Sequence, residues 1–325
     1  MSEEVLASLI FLLLGIIGMI INIICIVKLL KMVEMQNMFG YICLSHSISN
    51  LGVCTIYVFW TPLIILVLPE TKFTYTLNIR IGQLGMFFWY ISIYCHILVC
   101  INRFIAIYLP LQYNKCFSNF NTKVFLLFLW CIPIIHVIPY FFPKCDYYFD
   151  STSYIFTFSA SKCSEMLGTI IDFHLTIAYV TFTIFVDFLI CVKLFIRYKK
   201  ALRDNEIKML KKKATISPAG GNKTFFRFTS MKRTVNPSQH REGITSNGSN
   251  SKATMKTKFF FQAFCQNLIF LLEILSFYVF SSYFTSKLCI MAFTSCAWEL
   301  CHLLDGLCLM MFNGEIRKTI TKCSF

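Results

Sequence analysis

Ionisable side chains inside apolar runs are where this chain could do chemistry. Asp172, His174, Asp187, Glu273, Glu299, His302 and Asp305 all stand in such runs. A charge in hydrocarbon is expensive, so these residues face a bundle interior, pair with one another, or mark a route for protons or ions. His302 and Asp305 are three apart and therefore share one face of a helix, from which both can reach Asn50. That grouping reads either as a polar network that switches between states or as a static, mutually satisfied cluster. Glu299 lies about one helical turn from His302 and is a candidate for lining a ligand cavity. Arg103 ends an apolar run with a permanently charged fork of donors. No Gly-rich phosphate loop, His-Glu-x-x-His or paired CxxC occurs. Enzyme activity, cofactor and bound metal are therefore not expected.

Residues of this kind need membrane-crossing helices to hold them. The chain has 325 residues, 57% hydrophobic and 14% charged, too oily for a soluble domain. Apolar runs long enough to span a bilayer recur seven times. They lie at about Leu6–Val27, Phe39–Leu66, Ile81–Ile107, Val124–Phe142, Thr169–Ile196, Phe259–Phe284 and Cys289–Phe312. In lipid each must satisfy its own backbone hydrogen bonds, so each is predicted to be helical. The fold class is an all-α membrane protein, a seven-transmembrane helix bundle. Residues 1–198 carry helices one to five and 258–312 carry helices six and seven. Residues 313–325 form a short amphipathic helix 8 and a tail, whose Cys323 is either a palmitoylation site or a plain cysteine.

The formal charge of +14 does not mark a nucleic-acid binder, because of where it lies. Of 30 lysines and arginines, 25 fall in alternate connections and the C-terminal end, leaving Lys72, Arg80, Lys144, Lys162 and Lys287. The positive-inside rule then places the N-terminus outside and the C-terminus in the cytoplasm, with basic loops against anionic lipid. Few polar residues precede the first apolar run and no basic stretch leads it, so the first helix is expected to be retained.

Residues 199–257 are basic and rich in Ser, Thr, Asn, Gly and Lys. They cannot bury enough apolar surface to fold and are expected to be a largely disordered third intracellular loop, with Tyr198–Lys213 and Ser251–Lys258 extending the neighbouring helices. Thr215, Ser217 and Thr234 follow basic residues and suit phosphorylation, which would make kinase and arrestin possible partners. The sequons at Asn222 and Asn247 face the cytoplasm and are expected to be unmodified. Most of the 16 cysteines sit in spans as reduced packing residues. Cys145 and Cys163 instead share the long outer loop, in an oxidising compartment. They form a bridge, or remain free thiols, or one pairs with Cys289. The 17 residues between them hold Tyr147, Tyr148, Phe149, Tyr154 and Phe156, enough aromatic surface for a lid.

Two stretches carry a family resemblance. Asn102-Arg103-Phe104, continuing through Ala106 and Pro110-Leu111 to Tyr113, resembles the end of the third helix in rhodopsin-like G-protein-coupled receptors. Asp305-Gly306-x-x-Leu309-x-x-x-Asn313-x-x-Ile316-Arg317 is similar to their seventh-helix pattern, and Trp130 with Pro139 to their fourth helix. Asn22, with Gly15 and Gly18 on the same side, matches their first-helix asparagine. Asn50 stands where they carry a sodium-binding aspartate, and an amide there keeps the hydrogen bonding but loses the charge. More narrowly, Asn102-Arg103-Phe104 and five further stretches resemble the nematode serpentine chemoreceptors of class x (srx). The five are Phe39-Gly40-x-x-Cys43-Leu44-Ser45, Phe117-Ser118-Asn119-x-Asn121-Thr122-Lys123, Cys163-Ser164-Glu165 with Asp172-Phe173, Phe259-Phe260-x-Gln262-x-x-x-Gln266, and Ala297-Trp298-x-x-x-His302-x-x-Asp305-Gly306.

The resemblance implies a chemosensory receptor of the plasma membrane, in sensory neurons or cilia. It would bind a small extracellular ligand and activate a heterotrimeric G protein. Asn102, Arg103, Phe104, Asp305 and Asn313 would couple and switch, and Asn22, Asn50, Asp187 and His302 would form an intramembrane polar network. Met86, Trp89 and Tyr90, counted back from Arg103, would line the ligand pocket with Glu299. Asn102 replaces the acid that usually restrains the arginine, so Asp187 is expected to pair with Arg103 or to satisfy another buried donor. The family's bridge from helix three to the outer loop is missing, because Asn78 stands at its position. A transporter or channel using the intramembrane acids is the competing reading, disfavoured by the absence of an internal repeat or broken helix pair.

Overall fold

The computed structural model describes residues 2–216 and 261–317. Two compact units make up the chain: Met1–Asp187 with Lys258–Phe325, and Phe188–Thr257. Among the described residues, seven helices are long and apolar enough to cross a membrane. Helix one is Glu3–Lys31, helix two Met38–Leu66, helix three Lys72–Tyr108, helix four Asn119–Phe141, helix five Lys162–Leu210, helix six Phe261–Tyr283 and helix seven Lys287–Phe312.

Several helices begin earlier than their apolar runs, because capped polar turns precede them. The Asn37 side chain accepts from Gly40 N, Thr71 from Thr74 N, and Ser118 from Asn121 N. Each satisfies one of the amides a helix start leaves unpaired, which is worth about 1 kcal/mol. Helix three thus starts at Lys72 rather than near Ile81. Helix five passes, after a first α-helical turn, through a π-helical stretch, Leu167–His174, an arrangement often found beside functional sites. Helix seven is broken at Thr294, between Lys287–Phe293 and Ser295–Phe312.

Small residues set how closely helix one meets helices two and seven. A Cβ on Gly18 would stand 2.6 Å from Cys54 Sγ, and one on Gly306 would stand 2.7 Å from Asn22 Oδ1. Trp130 donates its indole N–H to Ser45 Oγ at 3.3 Å, joining helices four and two. Beyond helix seven, Asn313 Oδ1 accepts from Glu315 N and Ile316 N, opening a helical turn over 314–317. Cys323 and the rest of the expected helix 8 lie outside the described residues.

Between helices four and five the chain forms an antiparallel hairpin, β1 (Tyr147–Asp150) and β2 (Ile155–Phe158), with Phe149 opposite Phe156. Cys145 and Cys163 are joined by a disulfide, their Cα atoms 5.1 Å apart. Within the other unit, the helix Leu175–Ile216 is exposed from Phe195 to Leu210. The remainder of the expected third intracellular loop, with Ser217, Asn222, Thr234, Asn247 and Ser251–Lys258, lies outside the described residues.

Candidate functional site

The hairpin is a lid sunk into one end of the bundle. Tyr147, Phe149, Tyr154 and Phe156 are all buried. Phe149 packs edge-on against Phe11 of helix one at 6.0 Å, and Phe156 against Trp298 of helix seven at 5.4 Å. Phe156 N donates to Ser295 Oγ at 3.2 Å, next to the helix-seven break. Helix three is pressed against β1, since a Cβ on Gly82 would stand 2.2 Å from Tyr147 O. Gln83 Nε2 also donates to Tyr140 O at 2.7 Å.

Under this lid lies a narrow cavity that reaches Tyr147 of β1. Met86, Trp89, Tyr147, Phe277, Tyr278 and Trp298 supply apolar and aromatic walls, and Asp172, Thr176 and Glu273 supply polar groups. Tyr278 OH donates to Asp172 Oδ2 at 2.7 Å. Glu273 Oε2, Thr176 Oγ1 and Trp298 Nε1 are buried without a hydrogen-bond partner. Unpaired buried polar atoms are costly, and three of them belong to residues that line one cavity.

Met86 and Trp89, named from sequence, line this cavity, whereas Tyr90 and Glu299 are not among its lining residues. Tyr90 turns toward helix four, its hydroxyl 3.1 Å from that of Tyr140 and its ring 5.0 Å from His136. Glu299 is fully buried toward helix one, where a Cβ on Gly15 would stand 2.7 Å from its Oε1. Asp172 and Glu273 take the place foreseen for Glu299.

A second polar centre lies deeper. Asn22 Nδ2 donates to Gly18 O at 2.9 Å and His302 O at 3.3 Å, tying helix one to helix seven. Asn50 Oδ1 meets His302 Nδ1 at 2.8 Å. Asp305 turns elsewhere, its Oδ2 lying 3.2 Å from His46 Nε2 and 3.6 Å from His96 Nε2. His302 and Asp305 therefore serve different partners rather than sharing Asn50. His96 Nδ1 stands 2.9 Å from Asn267 Oδ1, and Asn267 Nδ2 donates to Asp187 Oδ2 at 2.6 Å. A chain of contacts thus runs from helix seven through helices three and six to Asp187 on helix five.

His46 and His96 were missed in the sequence, although each left a trace. His46 is four residues before Asn50 and His96 seven before Arg103, the spacings that keep residues on one helical face.

At the far end, Arg103 is buried with its guanidinium 6.0 Å from the Phe39 ring centre. Asn102 Nδ2 donates to Tyr113 OH at 3.1 Å, and Phe104 stacks on Tyr108 at 4.6 Å. Asp187 takes its hydrogen bond from Asn267 and lies 3.9 Å from Cys100 Sγ on the Arg103 helix. Asn313 caps the turn after helix seven. The structure thus brings His302 to Asn50, Asn22 to His302 and Asp187 to the histidine network.

The comparisons with known proteins agree with this layout. A family described as serpentine type 7TM GPCR chemoreceptor Srx matches residues 12–217 and 224–313. No curated protein matches the sequence. Among solved structures, the fold is similar to the crystal structure of squid rhodopsin, with TM-score 0.69 and 14% identity over 99% of this chain and 86% of that one.

Proposed function

The chain belongs to the Srx family of serpentine seven-helix G-protein-coupled chemoreceptors, and from that membership we propose that it detects a small extracellular molecule in the cavity beneath the lid. The observation that carries this reading is the cavity's lining. Two carboxylates, Asp172 and Glu273, stand among Trp89, Tyr147, Phe277, Tyr278 and Trp298. Aromatic faces attract cations and carboxylates pair with them, so the lining suits a small amphipathic ligand carrying a basic nitrogen.

The lid end faces outward and the Arg103 end faces the cytoplasm, supported by 25 of 30 basic residues lying on the latter side. There Arg103, with Asn102 and Phe104, engages a heterotrimeric G protein once the helices rearrange. Asp305 and Asn313 act as switch positions at the base of helix seven. Kinase and arrestin act on residues 199–257, and the receptor resides in the plasma membrane of sensory neurons or cilia.

The test is nucleotide exchange on a G protein by the full-length receptor in nanodiscs, challenged with volatile amines and their neutral isosteres. Amine-selective exchange supports the reading. Response to neutral isosteres alone would overturn the ligand class, and amine uptake into vesicles without exchange would favour a transporter.

A further inference from the structure

We propose that His46, His96 and Asp305 form a binding site for a divalent transition-metal ion of the zinc class, joining helices two, three and seven. All three residues are buried, and one ligand atom from each lies within 4.8 Å of the others. Metal bonds of about 2.0–2.1 Å at tetrahedral angles place neighbouring ligand atoms roughly 3.3 Å apart. The distances from Asp305 Oδ2 to His46 Nε2 and His96 Nε2, 3.2 and 3.6 Å, bracket that edge. The pair of imidazoles selects zinc, copper or nickel over sodium, calcium or magnesium, which prefer all-oxygen shells.

Hydrogen-bond chemistry points the same way. Asp187 is an acceptor, so the Asn267 group it touches is the NH2, and the Asn267 oxygen faces His96 Nδ1. That oxygen can only accept, so Nδ1 carries the ring's proton. In the neutral ring, Nε2 then turns its lone pair toward the Asp305 carboxylate. Two lone pairs face each other, and a positive charge between them, a metal ion or a shared proton, makes the arrangement favourable. Neither His96 Nε2 nor either Asp305 oxygen receives an aligned hydrogen bond.

Behind the site, Asn267 and Asp187 orient His96 as outer partners orient metal-bound histidines elsewhere. Ser92 Oγ, 2.9 Å from His46 Nε2, is a rotatable hydroxyl that turns aside when the nitrogen is ligated. The two histidines and the aspartate come from three separate helices. An ion held by all three resists their relative movement.

The probe is cobalt(II), added to full-length receptor in nanodiscs after chelation, because its spectrum reports its ligands. Wild type is expected to bind one cobalt per chain with visible bands of a nitrogen–oxygen site and no thiolate charge transfer, which separates this site from the cysteines. His46→Gln and His96→Gln are expected to weaken binding at least tenfold. His96→Cys should retain the ion and gain a thiolate-to-cobalt band. Zinc should raise the wild-type melting temperature, by mass action on the folded state. If the glutamine variants fail to fold, the His96→Cys spectrum and the wild-type melt decide. Absence of bound cobalt in wild type means that the three residues share a proton instead and overturns the proposal. So would thiolate bands in wild type, undiminished binding in both folded glutamine variants, or a His96→Cys protein lacking the new band. None of these outcomes depends on the ligand reading above.

Discussion

Asn78 holds both sides of the Phe149 backbone: its Nδ2 donates to Phe149 O at 2.7 Å, and its Oδ1 accepts from Phe149 N at 3.2 Å. The same oxygen accepts the Trp60 indole N–H at 2.9 Å. An amide side chain therefore fastens the lid to helix three at the position where a disulfide was expected to be missing. Asn78→Ala removes both lid bonds and strands a buried indole, a loss of about 1–3 kcal/mol. Hydrogen exchange at the Phe149 amide should quicken about tenfold or more, and unchanged protection would show that the lid is held by packing alone.

Gly82 and Gly85 lie one turn apart yet should respond differently to alanine. A Cβ at Gly82 meets backbone at 2.2 Å, whereas one at Gly85 finds its nearest atom at 3.5 Å, an ordinary contact. Gly82→Ala is expected to lower thermal stability by about 1–3 kcal/mol, and Gly85→Ala to leave the melting temperature nearly unchanged. Equal effects would refute the close approach of helix three to β1.

For an amine that drives nucleotide exchange, Glu273→Gln and Asp172→Asn should each raise the half-maximal concentration at least tenfold, on the order of 1.4 kcal/mol. Trp89→Ala should do the same by opening the aromatic wall. Dose–response curves of these variants against Tyr90→Phe, whose hydroxyl meets Tyr140, discriminate cavity contact from general damage. A shift only in Tyr90→Phe would misplace the ligand.

Arg103→Ala is expected to abolish G-protein activation while surface expression persists. Asp187→Asn replaces the charged acceptor for Asn267 with a neutral amide and should raise ligand-free exchange, because helix six is then held less firmly to helix five. Basal exchange equal to wild type would remove Asp187 from the resting state.

The lid turn should loosen in acid. Burial pushes the Asp150 carboxyl up, but donors from Ser153 and Thr152 outweigh it and hold the group below the usual carboxylate range. The folded turn thus binds fewer protons than the unfolded chain. Its contribution is present above the ordinary value of about 3.9 and is lost as pH falls through the lowered one. Melting temperature followed from neutral pH downward should decline less in Asp150→Asn than in wild type, and parallel curves would sink the assignment.

The helices were legible because each apolar run is long enough to cross hydrocarbon alone, whatever its neighbours do. The meeting of His302 with Asn50 was legible too, because both lie on helical faces already marked by asparagine and acid spacing. Rotation about a helix axis was harder to read. Trp89 and Tyr90 are adjacent, so about 100° separates them, and one faces the cavity while the other faces helix four. Glu299 was placed at a plausible height on helix seven, but its direction depends on Gly15, whose missing side chain makes room for the carboxyl on helix one. The His46, His96 and Asp305 grouping draws on three helices and leaves no spacing signature in one stretch of sequence.

The Cys145–Cys163 bond closes a ring wholly inside the lid, while attachment to helix three rests on Asn78 and the fit at Gly82. Internal stiffness and adhesion are thereby governed by separate chemistries. A reductant would open the ring and leave the bonds to helix three in place, whereas loss of Asn78 would cut those bonds and leave the ring closed. The lid is a cross-linked plug whose hold on helix three can be retuned at one amide without disturbing its ring.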